Sequence, residues 1–146
     1  MASLPEPERL LFPIDAGCFG CSPTSEAGLN LSFFRNGDEI HSLYSIPDRF
    51  HGAPGVAHGG IVATLIDEVS CATVFFSTDT GVVTGELTVR YLKPCPVERE
   101  LLTRGKITDR SHDKYAIVEC ELTDGDELLA RSSGKFFYSE LVGPQP

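Results

Sequence analysis

The chain has 146 residues, 41% of them hydrophobic, which suits one domain with a core of its own and no need of metal or disulfide staples. Its formal net charge of −9, from 12 basic and 21 acidic residues, argues against a nonspecific nucleic-acid groove and against an anionic membrane surface. Five cysteines, and no signal-like run after the acidic, proline-broken start Met1-Ala2-Ser3-Leu4-Pro5-Glu6-Pro7, lead to the expectation of a soluble cytoplasmic protein with free thiols; no apolar run is expected to approach the ~20 residues that span a bilayer.

In chain order, the first dozen residues read as a tail or short helix entering a turn at Pro13-Ile14-Asp15-Ala16-Gly17. Two strands are expected at residues 29–35 and 39–46, joined at Asn36-Gly37-Asp38, because Asn-Gly accepts the positive φ of a hairpin turn. A Gly/Pro-rich loop, residues 50–60, leads into an almost wholly apolar stretch at residues 61–76, expected as a helix buried on most sides. Beyond Asp79-Thr80-Gly81 the period becomes two, with Leu87, Val89 and Tyr91 alternating with Glu86, Thr88 and Arg90 until Pro94-Cys95-Pro96. Strands at 101–110, 115–122 and 128–138 complete the pattern. On the last of these, Ala130, Ser132 and Gly134 make one face small enough for something bulky to lie against it. A hairpin, one buried helix and four consecutive antiparallel strands describe an α+β fold, an antiparallel sheet wrapped around one central helix.

The chemistry concentrates where the loop meets the helix. Gly60, Thr64, Asp67 and Cys71 follow at helical spacings of four, three and four, so they share one small, polar stripe that could floor a groove. A carboxylate two turns inside an apolar helix is expensive unless paired, hydrogen-bonded or used, so Asp67 is either an acid/base or a structural buried acid. Glu68 lies about 100° round the helix and is assigned to no common site with it. The N–H groups of Gly59 and Gly60, at the positive end of the helix, can hold a carbonyl oxygen as it gains charge. His58 before them is a candidate base or a shaper of the turn, and Thr84 and Thr88 are strand hydroxyls near the helix. Cys18-Phe19-Gly20-Cys21 has the spacing of a zinc half-site or redox pair, but no second pair follows, so a metal would need distant recruits and none is expected. There is no phosphate loop, dinucleotide glycine fingerprint or Gly-x-Ser-x-Gly elbow.

These residues resemble the hotdog-fold acyl-CoA thioesterases of the PaaI and 4-hydroxybenzoyl-CoA thioesterase superfamily. The likeness rests on Pro54-Gly55-Val56-Ala57-His58-Gly59-Gly60 with Asp67 beyond it, on Glu86-Leu87-Thr88-Val89-Arg90-Tyr91-Leu92-Lys93-Pro94, and on the strand at 130–137; it covers residues 29–138. Cys18 to Cys21 with Gly28-Leu29 is similar to an N-terminal signature of some members, from which Ser22-Pro23-Thr24-Ser25 departs. The resemblance implies a hotdog domain at residues 29–140, after an N-terminal segment (1–28) and before a tail (141–146). It implies Asp67 as general base or nucleophile, the Gly59 amide polarising the thioester carbonyl, and Thr84 placing the water. It also implies a homodimer or a dimer of dimers with sites at the subunit interface, where Thr84 would face the partner's Asp67. The Asn or Gln that many members carry ahead of His-Gly-Gly is missing, leaving His51 as the substitute contact.

The resulting expectation is hydrolysis of an acyl-CoA to acid and CoA, without cofactor, nucleic-acid partner or membrane insertion. Arg90, Lys93, Arg110 and Lys114 are the candidate cations for the CoA phosphates. Two rivals remain: a hotdog hydratase or dehydratase on acyl thioesters, which would want His58 as base, and a non-catalytic module that binds acyl ligands.

Overall fold

The computed structural model describes residues 7–140 apart from 14 and 16, so the expected tail at 141–146, the first six residues and part of the turn at 13–17 lie outside the described residues. The elements are β1 (Arg9–Leu10), β2 (Phe33–Asn36), β3 (Glu39–Ser45), a 3-10 turn (Asp48–Phe50), β4 (His51–Ala53), β5 (Val56–Ala57), α1 (Gly59–Thr78), β6 (Val82–Tyr91), β7 (Glu100–Asp109), β8 (Tyr115–Asp124) and β9 (Glu127–Tyr138). Seven strands form one antiparallel sheet in the order β1-β2-β3-β7-β8-β9-β6, and β4 pairs with β5 apart from it.

Helix α1 lies across this sheet. Its Val62, Leu65, Ile66, Val69, Ala72 and Val74 are buried together with Ile40, Leu101, Ala116, Val118, Leu122 and Phe136 from the strands. Burying such a side chain contributes roughly 1.5–3 kcal/mol, so this layer is the main source of cohesion. The approach is close at Gly105 on β7, where a Cβ would collide with the Thr73 hydroxyl of α1. The small inward face of β9, Ala130 with Ser132 and Gly134, is buried on the helix side, as the alternation predicts. At the far end of α1, Asp79 takes the left-handed conformation (φ 56°) and its N–H caps Phe75 O.

Several expectations need correction. Residues 9–10 form neither tail nor helix but an edge strand, which β2 supplies with a template at Leu10↔Phe33. Phe12 then packs against Phe33, Phe75 and Phe76 with centroids 4.8–5.8 Å away, so the N-terminal segment closes the end of the core. The strand expected from residue 29 starts only at Phe33, because the N–H groups of Leu29 and Leu31 go to Phe19 O and Gly20 O instead of a neighbouring strand. The four final strands are consecutive in the chain but not in space: β7 joins β3, and β6 crosses to the outside of β9.

The helix also differs from expectation. It is 20 residues long with a mean hydropathy of 1.5, so the expectation of no membrane-length apolar run does not hold for it. By length and composition alone it could cross a bilayer, and here it is the core helix of the domain. Nor is it buried on most sides. One face meets the sheet, while Thr64, Asp67, Glu68, Cys71 and Phe75 stay half-buried on the other and Gly60 is exposed.

Candidate active site

The outer face of α1 carries Asp67, and β6 brings a hydroxyl to it: Thr84 Oγ1 donates to Asp67 Oδ1 at 2.6 Å. This contact depends on a bulge. Thr84 pairs with the inward-facing Phe136, Glu86 pairs with Lys135, and the extra residue, Gly85, lies between. Without it, the alternation that turns Leu87 and Val89 inward would turn Thr84 outward. A side chain on Gly85 would collide with the Phe137 ring. The expected pairing of Thr84 with the partner's Asp67 is therefore corrected: Thr84 binds the Asp67 of its own chain. Cys71, one turn further, places Sγ 3.6 Å from the same hydroxyl.

Burial holds the Asp67 carboxyl above its ordinary pKa, and the Thr84 hydroxyl, which favours the charged form, works against that rise. The Cys71 thiol is pushed up to about 12 by burial, then by the charge of Asp67, so it is a neutral wall and not a nucleophile.

At the N-terminus of α1 the two glycines separate in role. His58 is the N-cap, and its Nδ1 accepts the Gly60 N–H at 2.9 Å, so the Gly60 amide expected to hold a carbonyl is already engaged. Accepting through Nδ1 leaves the His58 proton on Nε2. The Gly59 N–H has no acceptor among the described residues. Tyr91, which the sequence reading gave no role, donates Oη to Gly59 O at 2.7 Å and covers the same turn; its inward parity with Leu87 and Val89 was the available signal. Val56, Gly59, Val62, Tyr91, Leu92 and Lys93 help to line a cleft of about 280 Å³ here.

Other expected site residues disperse. The Thr64 hydroxyl donates to Gly60 O within the helix at 2.9 Å, so it stays on the stripe but its proton is used locally. His51 Nδ1 lies 2.6 Å from Asp48 O and supports the turn before β4, while the ring stays exposed. Lys93 lines the cleft and pairs with Glu127 at 3.2 Å, while Arg90 is exposed on β6. Arg110 lines a second cavity with Phe76 and Ser77, and Lys114 accepts the Tyr138 N–H at its carbonyl beside the start of β6. Arg110 and Lys114 thus stand near the C-terminal end of α1 and Lys93 at its N-terminal end, so one chain does not gather the four into a phosphate site.

Glu68 points away from the Thr84–Asp67 contact, as its position round the helix implies. Its side chain meets Cys18, whose Sγ lies 3.5 Å from Oε1, and burial raises its pKa. Cys21 stands beside them with its thiol pushed up by burial and by the Glu68 charge.

A sequence model of the thioesterase superfamily matches residues 54–130, more than half of the chain and inclusive of Gly59, Asp67, Thr84 and Tyr91. The human acyl-coenzyme A thioesterase THEM5 is 31% identical over 106 residues, which are 71% of this chain and 42% of that protein. A thioesterase superfamily protein from Shewanella loihica PV-4 shares the fold with a TM-score of 0.65 at 28% identity, over 75% of this chain and 90% of that one. A phenylacetic acid degradation-related protein from Ralstonia eutropha JMP134 superposes with a TM-score of 0.70 at 20% identity, over 80% and 91% of the two chains. The chain spans about half or less of the length of the curated relatives it matches. The sheet laid over a single long helix is the hotdog arrangement of the solved thioesterases.

Proposed function

The chain belongs to the thioesterase superfamily, and from that premise we propose that it hydrolyses acyl-CoA thioesters to a free acid and CoA. The observation that carries this reading is the Thr84–Asp67 hydrogen bond of 2.6 Å, which orients a half-buried carboxylate on the open face of α1. In the hydrolytic step, Asp67 takes a proton from water as the water oxygen bonds to the carbonyl carbon, or its own carboxylate attacks that carbon to form a mixed anhydride that water then hydrolyses to the free acid; in either course the C–S bond breaks and the CoA thiolate leaves and takes up a proton. The Gly59 N–H holds the carbonyl oxygen as it gains charge. No cofactor is required, because CoA is part of the substrate.

Gly59 and Asp67 are eight residues apart on one helix, about 12 Å along its axis at 1.5 Å per residue. Both must reach one thioester group a few ångströms across. The reaction therefore needs two chains, the Gly59 turn of one protomer meeting the partner's Asp67. The outer edge of β6 suits such a contact: it is ten residues long, pairs among the described residues only with β9, and exposes Val83 and, at its end, Tyr91 and Leu92.

Thiol release from short, medium, long and aromatic acyl-CoAs tests the activity; the absence of turnover on all of them defeats the reading. Mixed dimers test the assembly. Co-expressed Gly59→Pro and Asp67→Asn chains, each inactive alone, regain up to half of the wild-type rate per mixed dimer if the site crosses the interface. They regain nothing if it lies within one chain. The hydratase reading is not favoured by the geometry, since His58 Nδ1 is occupied as a helix cap.

A further inference from the structure

The Cys18-Phe19-Gly20-Cys21 loop is built around the Cys18 sulfur. The Gly20 N–H donates to Cys18 Sγ at 3.3 Å, and the Ser22 N–H closes the turn on Cys18 O at 3.0 Å. From the other side, Phe19 O and Gly20 O accept the Leu29 and Leu31 N–H groups at 2.9 and 3.0 Å. The loop backbone is thus pinned before any ligand arrives. Glu68 comes to it from α1, fifty residues away in the chain. Gly20 makes room, because a Cβ there would collide with Cγ and Cδ of Glu68.

The two sulfurs and a Glu68 carboxylate oxygen lie within 4.8 Å of one another, all half-buried. No Lys, Arg or His pairs with Glu68 among the described residues. The spacing is informative. Zinc bonds of about 2.3 Å to sulfur and about 2.1 Å to oxygen, at a tetrahedral angle, put S and O about 3.6 Å apart. Cys18 Sγ and Glu68 Oε1 are 3.5 Å apart. Two thiolates select a borderline-soft cation over Mg²⁺ or Ca²⁺, which take oxygen donors.

We propose that Cys18, Cys21 and Glu68 form a binding site for a thiophilic divalent cation, Zn²⁺ being the best matched, with a fourth position open to water. The distant recruit that the Cys-x-x-Cys spacing lacks is Glu68. A bound cation clamps the N-terminal loop to the turn of α1 that carries Asp67, and it is independent of the proposed hydrolysis, because it is read by metal binding.

The test uses the full chain, purified under reducing conditions, stripped with a chelator and titrated with Co²⁺ and then Zn²⁺. One equivalent of Co²⁺ should develop the thiolate-to-cobalt charge-transfer band with the intense visible absorption of tetrahedral cobalt, and Zn²⁺ should abolish both. The band should vanish in the Cys18→Ser/Cys21→Ser double variant and persist in Cys71→Ser. In Glu68→Gln the band should remain while Zn²⁺ affinity, measured against a chromophoric chelator, falls about tenfold or more. Absence of the band in the reduced wild-type protein overturns the proposal whether or not the variants fold. So does a band that survives the double cysteine change, or an unchanged Zn²⁺ affinity in Glu68→Gln.

Discussion

Asp67 and Glu68 are neighbours on one helix, both half-buried, both with a carboxyl raised by burial, yet they face different chemistry. Asp67 points toward β6 and receives one hydroxyl hydrogen bond on an otherwise open face. Glu68 turns about 100° away, toward the N-terminal loop, and meets the thiols of Cys18 and Cys21. One residue of helix separates a carboxylate kept free to take a proton from one enclosed by potential ligands.

The difference predicts unequal mutational effects. Asp67→Asn keeps the shape and an acceptor for Thr84 but removes the charge, and kcat should fall about 10²- to 10⁴-fold with little change in KM. Glu68→Gln should reduce kcat by less than about tenfold; steady-state kinetics on one good acyl-CoA compares the two, and the reverse order would reassign the acid. The stability effect of Asp67→Asn has the opposite sign. A carboxyl raised in the folded state binds more protons than in the unfolded chain, so its contribution to stability is lost as pH rises from the unfolded value of 3.8 through the folded one. Asp67→Asn should therefore melt no lower than wild type at pH 7, with any gain disappearing below that unfolded value.

Gly59→Pro sharpens the comparison at the other end of the helix. Proline is accepted at the first helical position, and His58 already has the extended conformation (φ −60°, ψ 134°) required before it. The substitution removes the N–H and leaves the helix, so kcat should fall about 10²- to 10³-fold while the circular dichroism spectrum is retained.

Thr84→Val should have a smaller effect, about tenfold in kcat, which is about 1.4 kcal/mol and the low end of what a hydrogen bond to a charged group contributes. Its signature is a pH profile. Removing the hydroxyl that lowers the Asp67 pKa should move the acidic limb of kcat/KM to higher pH, and an unmoved limb would separate Thr84 from the acid.

The smallest effect is expected at His58. His58→Ala removes the cap on Gly60 N and should cost about 1 kcal/mol, or about 4 °C in melting temperature, while turnover changes much less than in Asp67→Asn. A loss of turnover as large as that of Asp67→Asn would restore His58 as a base and with it the hydratase reading.

Much of this was legible in the chain itself. Period-two alternation at Leu87, Val89 and Tyr91 and at Ala116, Val118, Cys120 and Leu122 marked strands and inward faces, because side chains alternate along any strand. The spacing of Gly60, Thr64, Asp67 and Cys71 marked one helix stripe for the same local reason, and all four lie outside the buried face. Other features follow from contacts distant in sequence or from a side-chain conformation that spacing does not reveal. Whether Thr84 turned inward depended on the bulge at Gly85, set by pairing with β9 fifty residues on. Whether the Gly60 amide was free depended on the His58 rotamer. The edge strand at Arg9–Leu10 exists only because β2 offers it hydrogen bonds. Most of all, Cys18 and Cys21 gained Glu68 as a companion through packing of the N-terminal loop on α1. Local periodicity determines which residues share a face; which faces meet is decided by the register and packing of the whole sheet and helix.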